Sequence, residues 1–436
     1  MKRISKKIQR VRIKSSFAYL PSLVIDNLKL AENLTTKNKT PSDIADTVFK
    51  HTGIFERRYA LSSEAASDLA IQAIRASSID ISSVSALLVA TTSGDFPSPS
   101  TATFVHKGLK LNKKTHCLDI ASSCSSYLSA LRSSFGFISA QENTLVVATE
   151  LKHKGLTEND LRTKSLFADG AGGVYLTNAD ENEKCDYFVF VHQETQSELA
   201  QNIIIPVGGS REPVTLENIE RNKLSFADAK FMYLQTVKAI ANAIEHSWKT
   251  RNEFLITQKC KNIACTIFIH QANKNILIDV KEKLPKEISA NIPTLMADVG
   301  NMVCASLPVL RTRVLFLKAI YFHTRTETAK DNLVNRFLTL CDNNSFFSFI
   351  KDEKGICFKT HFFAEEISIY DASTNNMNES WLAHIDENEY NSLQKIFTSE
   401  YKLYEENKEY QFLDIWIAAG GGFQTIGLLH GNMFGK

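Results

Sequence analysis

The chain has 436 residues, and 50 Lys and Arg against 48 Asp and Glu leave a net charge of +2. That balance gives no support for a nucleic-acid partner, and 44% hydrophobic residues exclude wholesale disorder. The length suits two to three domains or one large two-lobed unit, with a core that needs no staples.

The basic N-terminus, MKRISKKIQRVRIKSSFAYLP, never opens into an apolar segment of the signal-peptide type. Its Lys/Arg positions between 2 and 14 read as the outward residues of a first strand, with docking of an acidic carrier as the alternative. Residues 84–91 (VSALLVAT) form a short, continuously apolar run, the pattern of a strand covered on both faces. From Cys124 the apolar positions Tyr127, Leu128, Leu131, Phe135 and Ile138 mark one face of a helix. Buried strands follow at 144–149 (TLVVAT) and 264–269 (ACTIFI). A helix from Ala272 is predicted to stop at Pro285, and another spans 305–320. Residues 325–410 are rich in Asn, Glu and Lys with clustered aromatics, which predicts a folded insertion or lid packed on the body. A last strand at 413–419 (LDIWIAA) runs into Gly420-Gly421-Gly422. Strands alternating with helices in both halves indicate a layered α/β architecture of two similar lobes.

No apolar run reaches the roughly 18 residues of a membrane span, so none is expected. Eight scattered cysteines contain no Cys-x-x-Cys pair, which points to a reduced cytoplasmic protein without a metal site. Three residues stand where chemistry would need them. Cys124 lies between an apolar run and an amphipathic helix, among Ala121, Ser122, Ser123, Ser125 and Ser126. Small residues permit a sharp strand-to-helix turn, and a helix start favours thiolate over thiol. His270 closes a buried strand in ACTIFIHQAN, and Asn301 sits in a Gly-Asn turn. Taken singly, each also reads as a core or turn residue.

In that order the three resemble the active-site signature of the thiolase-like condensing enzymes. More narrowly the chain resembles the β-ketoacyl-acyl-carrier-protein synthase III family. The similarity runs through SFAYLP (16–21), HTGIFERRYA (51–60), LLVATTSGDFPSPSTA (87–102), SLFADGAGGVYL (165–176), HQAN (270–273), GNMVCASLP (300–308) and AAGGGFQTIG (418–427).

The resemblance implies a five-layer αβαβα fold. One lobe (1–180) would carry the nucleophile, and the other (181–436) would carry His and Asn with an insertion near 325–410. It implies acyl transfer to Cys124, then Claisen condensation with a malonyl- or β-ketoacyl-thioester, aided by His270 and Asn301. The backbone N–H groups of Cys124 and Gly421 would form an oxyanion hole, with no metal and no cofactor beyond thioester substrates. Phe96, Asn273, Arg57 and Arg58 are candidate substrate contacts, and acyl-CoA, acyl carrier protein and a second copy of the chain are the implied partners.

Thr47 and His51 occupy places where family members that take CoA starters often carry Trp and Arg. With the insertion, they suggest a specialised relative making resorcinol, cyclohexanedione or pyrone precursors. The alternatives are acyl transfer to oxygen or nitrogen, housekeeping fatty-acid initiation, and a non-catalytic partner subunit.

Overall fold

The computed structural model describes residues 8–32, 39–156, 160–179, 185–257, 260, 263–323, 347–352, 355–360, 367–371, 376–377, 386–407, 411–420 and 424–432. Nine of the described strands form one mixed sheet. They are β1 (Ile8–Tyr19), β2 (Ala86–Ala90), β3 (His116–Ile120), β4 (Thr144–Glu150), β5 (Gly170–Thr177), β6 (Asp186–Thr195), β7 (Ile267–Ile269), β8 (Leu413–Gly420) and β9 (Gln424–Gly431). Their spatial order is β7-β8-β9-β6-β1-β5-β4-β2-β3. The long β1 joins two halves: residues 8–11 pair with β6, and residues 12–19 pair with β5 past an irregularity between Ile13 and Ser15. Each half contains parallel strands, β2 between β4 and β3 in one and β7 beside β8 in the other.

Seven helices position the site: α1 (Ala66–Arg75), α2 (Thr101–Leu109), α3 (Ser126–Ser139), α4 (Ala229–Thr257), α5 (Lys274–Lys283), α6 (Ser306–His323) and α7 (Glu387–Asn407). Strands β2 (ALLVA) and β7 (IFI) are apolar at every position because each face meets a helix layer. Leu87 and Val89 of β2 pack under α1 and α2, whereas Leu88 and Ala90 point into the middle with α3 and α6. In the other half, Ile415 and Ile417 of β8 pack against α4 and α5, and Trp416 and Ala418 point into that same middle layer. Helix, sheet, helix, sheet, helix is the resulting order, the five-layer α/β architecture of two similar halves.

The last part of the expected insertion belongs to this body. Leu393, Ile396 and Phe397 of α7 are buried in the middle-layer core, and Phe322 of α6 packs on Tyr401 and Tyr404. Ahead of α7 the described strands 347–352, 355–360, 367–371 and 376–377 form a separate antiparallel sheet. Among the described residues, no helix is long and apolar enough to cross a membrane.

Two elements start later than their apolar runs predict. The strand expected at 264–269 is regular only over Ile267–Ile269, because Ala264 makes an isolated bridge to Phe412. The helix expected from Ala305 starts at Ser306 after a short 3-10 turn.

α6 and α7 are clamped by a buried ion pair, Lys318 Nζ to Glu400 Oε2 at 2.7 Å, and Glu400 also accepts from Thr266 Oγ1 at 2.8 Å. Removing one member of such a pair strands the other charge. Glu400→Ala should therefore lower the unfolding free energy by about 3–5 kcal/mol, read from urea denaturation; an unchanged midpoint would show that the pair is not needed.

Candidate active site

The elbow that carries Cys124 is built from serines. Strand β3 ends at Ile120, α3 begins at Ser126, and Ser123 takes a left-handed φ of 54° to make the turn. Three side-chain bonds hold it: Ser125 Oγ donates to Ser122 O (2.6 Å), Ser126 Oγ donates to Ser123 O (2.6 Å), and Ser122 N donates to Ser126 Oγ (2.8 Å). Small hydroxylated side chains suit such a turn because they supply the hydrogen bonds that the backbone loses there.

The second half of the molecule approaches the same elbow. A Cβ on Gly420, at the end of β8, would stand 3.0 Å from Ser123 Cβ and 3.3 Å from Ser122 O, so glycine permits the contact. Ser125 Oγ also reaches Gln424 Oε1 of β9 at 3.2 Å. His270 follows β7, and its backbone N–H donates to Ile417 O of the neighbouring β8 at 2.9 Å. Asn301 stands in a separate turn. Its turn pairs with residues 166–168, through Asn301 N to Leu166 O and Ala168 N to Asn301 O, both 2.9 Å. Three residues on, the Cys304 thiol is pushed up by burial, with Glu150 and Cys124 adding to it. Cys124 thus follows β3 at an elbow that meets the end of β8, His270 follows the adjacent β7, and Asn301 lies three residues before Cys304.

Burial sets their protonation. Desolvation pushes the Cys124 thiol up to about 12; the nearby Ser123 hydroxyl and Lys152 oppose this and Glu150 adds to it. The expected helix-start preference for thiolate is thus outweighed by dehydration, a correction to the sequence reading. Cys124 nevertheless keeps partial exposure. His270 is 2% exposed, and desolvation lowers its pKa to about 4, so the imidazole is neutral. Both of its ring nitrogens are without a hydrogen-bond partner among the described residues, leaving one to accept and one to donate. Asn301 Oδ1 accepts from Val303 N at 2.8 Å, a bond that orients the carboxamide and leaves its N–H donors uncommitted by that contact.

The remaining predicted contacts divide. Phe96 is 59% exposed and its ring lies 5.4 Å from that of Phe104. Asn273 caps α5, its Oδ1 accepting from Ile276 N at 2.9 Å. Arg57 is a correction: it is fully buried, and its guanidinium donates to Ile25 O, Asn27 Oδ1 and Ser165 O, so it clamps the protein to itself. Arg58 is buried beside Glu56 at 3.8 Å. Gly421 lies outside the described residues. Thr47 Oγ1 is turned back onto Asp43 O of its own helix, 2.7 Å away.

Sequence reasoning missed a buried carboxylate at the end of β4. Glu150 accepts from Thr92 N (3.1 Å) and Ser93 Oγ (2.6 Å), and Cys304 Sγ approaches it at 3.1 Å. A charged residue closing the apolar run TLVVATE was the available signal. Asp169, in the matched SLFADGAGG segment, likewise gathers the N–H groups of Ala60, Lys152 and His153.

Comparison with known proteins agrees with this fold. Residues 118–194 match the family described as 3-oxoacyl-[acyl-carrier-protein (ACP)] synthase III. The β-ketoacyl-[acyl-carrier-protein] synthase III of Campylobacter concisus is 29% identical over 300 residues, covering 67% of this chain and 84% of that protein. Its counterpart from Koribacter versatilis is 27% identical over 310 residues, covering 69% and 88%. Solved structures of the Pseudomonas aeruginosa synthase III (TM-score 0.60, 19% identity, 97% and 98% covered) and of OleA from Xanthomonas campestris (TM-score 0.59, 13% identity, 97% and 98% covered) share the fold. The chain resembles β-ketoacyl-acyl-carrier-protein synthase III, a condensing enzyme of the thiolase superfamily. It is an acyltransferase with the thiolase fold.

For this condensing enzyme the dry nucleophile has a measurable signature. Below a thiol's pKa the thiolate fraction rises tenfold per pH unit, so alkylation of Cys124 by iodoacetamide should still be climbing at about pH 10. Intact-mass kinetics with Cys124→Ala as the blank would measure it; a plateau beginning near pH 7 would mean that the thiolate is already formed there.

Proposed function

We propose that the enzyme takes an acyl group from acyl-CoA or acyl carrier protein onto Cys124 and condenses it with a malonyl-type thioester. What supports this reading is a desolvated thiol in an elbow that meets the end of β8, a neutral and unpartnered imidazole after the neighbouring β7, and an oriented carboxamide at Asn301. A thiol held up to about 12 needs a base, and neutral His270 can accept its proton. The sulfur then attacks the thioester carbonyl, and the departing carrier thiolate takes a proton. The malonyl unit next loses CO2 and its carbon attacks the Cys124-bound acyl carbonyl, expelling the cysteine. N–H donors of His270 and Asn301 would stabilise the enolate oxygen; removing one such donor typically costs on the order of 10²–10³ in rate. The N–H groups of Cys124 and Gly421 are the proposed oxyanion hole for the acyl carbonyl.

Activation comes from the thioesters themselves, so this chemistry calls for no metal or separate cofactor, and a cytoplasmic setting suits it. Condensation is preferred over transfer to oxygen or nitrogen because only the enolate step uses Asn301. The intact trio likewise argues against a non-catalytic partner subunit. The relatives' names favour fatty-acid chain initiation. A specialised product, such as a resorcinol, cyclohexanedione or pyrone precursor, is favoured instead by the extra sheet before α7 and by Thr47 and His51.

A homodimer is part of the proposal. β3 is an edge of the nine-stranded sheet and pairs only with β2 among the described strands, with Leu118 and Ile120 half-buried. An unpaired edge of this kind is a template for another strand. Exposed Phe96 would project toward the second copy's pocket, and Asn273 would line the site from the α5 cap.

Intact-mass spectrometry with a panel of acyl-CoA and acyl-carrier thioesters tests the reaction. Wild type should gain an acyl mass that Cys124→Ala cannot gain. Asn301→Ala should still load but lose condensation by roughly 10²–10³-fold, measured as CO2 released with malonyl-carrier. Loading that persists in Cys124→Ala would remove the nucleophile from this account. In light scattering, wild type should run at twice the chain mass and Leu118→Pro should shift toward monomer; a monomeric wild type would overturn the dimer.

A further inference from the structure

The turn that carries Asn301 has several fastenings, Phe55 N and Glu56 N onto Ala297 O (2.8 and 3.3 Å) among them, and one belongs to the chain added before the final strands. At its far end, the pairing with residues 166–168 holds Asn301 itself. Gly300 takes φ 72° there, in a gap where a Cβ would meet Ala168 and Arg57 at 3.1 Å. In the middle, Asp298 is gripped by Arg313 of α6 through two oxygens, one of them at 2.5 Å, with both side chains almost fully buried. At the near end the fastening comes from α7: Glu389 Oε1 accepts from Met296 N at 3.0 Å and from Ala297 N at 3.2 Å. Met296 O in turn accepts from Gly300 N at 3.0 Å. Two hydrogen bonds therefore connect Glu389 to the residue preceding Asn301.

We propose that Glu389 is a positioning residue for Asn301, so that α7 forms part of the condensing site although it touches no reacting atom. The inference rests on the reading that Asn301 serves the enolate step. Glu389 is 6% exposed, and its second oxygen, Oε2, has no partner. It lines a cavity of about 180 Å³ together with Lys281, Thr294, Asp386 and Ser392. Burial, with Asp298 adding to it, raises the carboxyl to about 8, so at neutral pH it is mostly an uncharged acid. Its working part is thus a carbonyl oxygen that receives two backbone N–H groups, and an amide supplies the same acceptor. Met296 and Ala297 are each 2% exposed, so without that oxygen both donors would be buried unsatisfied and the turn would move to find partners. Displacing a catalytic group by about 1 Å can cost roughly 10²-fold.

Four proteins are compared: wild type, Glu389→Gln, Glu389→Asp and Glu389→Ala. Each is assayed for acyl loading of Cys124 by intact mass, for CO2 release with malonyl-carrier, and for melting temperature. The Gln variant should load and condense like wild type. Asp and Ala should load within about twofold of wild type yet condense roughly 10- to 100-fold more slowly. A folding brace without a positioning role would lower the melting temperature and leave the ratio of condensation to loading unchanged, and that result overturns the proposal. Wild-type condensation in the Asp variant overturns it too, and the Asp variant carries the comparison if Ala does not fold. A wild type that never loads Cys124 defeats the reaction itself, and the role of Glu389 with it; this is distinct from a wild type that works and variants that match it.

Discussion

Removal of water from the ends of β3, β7 and β8 is the constraint on which the site depends. It holds Cys124 as a thiol and His270 as a neutral imidazole, and it makes every unpaired polar atom there expensive. The serine-built elbow and the glycine at the end of β8 bring the two halves of the sheet close enough to exclude water. Packing in the five-layer body and chemistry at its centre are in that sense one property.

Much of this was legible along the chain. Continuous apolar runs showed strands covered on both sides, and Leu87/Leu88 or Ile415/Trp416 show why: alternate residues serve different helix layers. The Ser-rich stretch around Cys124 announced its turn. Buried charges were hidden, because their partners lie far away in sequence. Arg57 reads as a surface cation until Asn27 and Ser165 close around it, and nothing near Glu389 points to Met296. The protonation of Cys124 was misread for a related reason: a helix start is local and visible, whereas desolvation is the sum of everything packed around the sulfur.

Electrostatic order in the second half follows α6. Its Arg313 and Lys318, both buried, are met by Asp298 and Glu400, and Arg311 lies over the Trp416 ring with its guanidinium carbon 4.9 Å from the centroid. A helix carrying that many cations through a core relies on acids supplied by its neighbours, and α7 supplies one of them. The extra chain is therefore matched to α6 by charge as well as by shape.

The direction of α7 has a topological consequence. Arg313 and Glu389 meet at the 296–298 turn, while Lys318 meets Glu400 and Phe322 meets Tyr401, so contacts advance along both helices together. The two helices run parallel, and the chain leaving His323 must travel back to the far end of α7 before it can enter. At about 1.5 Å per residue, the stretch between Glu387 and Glu400 alone is roughly 20 Å long. A tight reverse turn cannot bridge that gap; even a fully stretched replacement needs at least about six residues at roughly 3.3–3.6 Å each. The connection between α6 and α7 thus has a minimum length, set by the length of its neighbour.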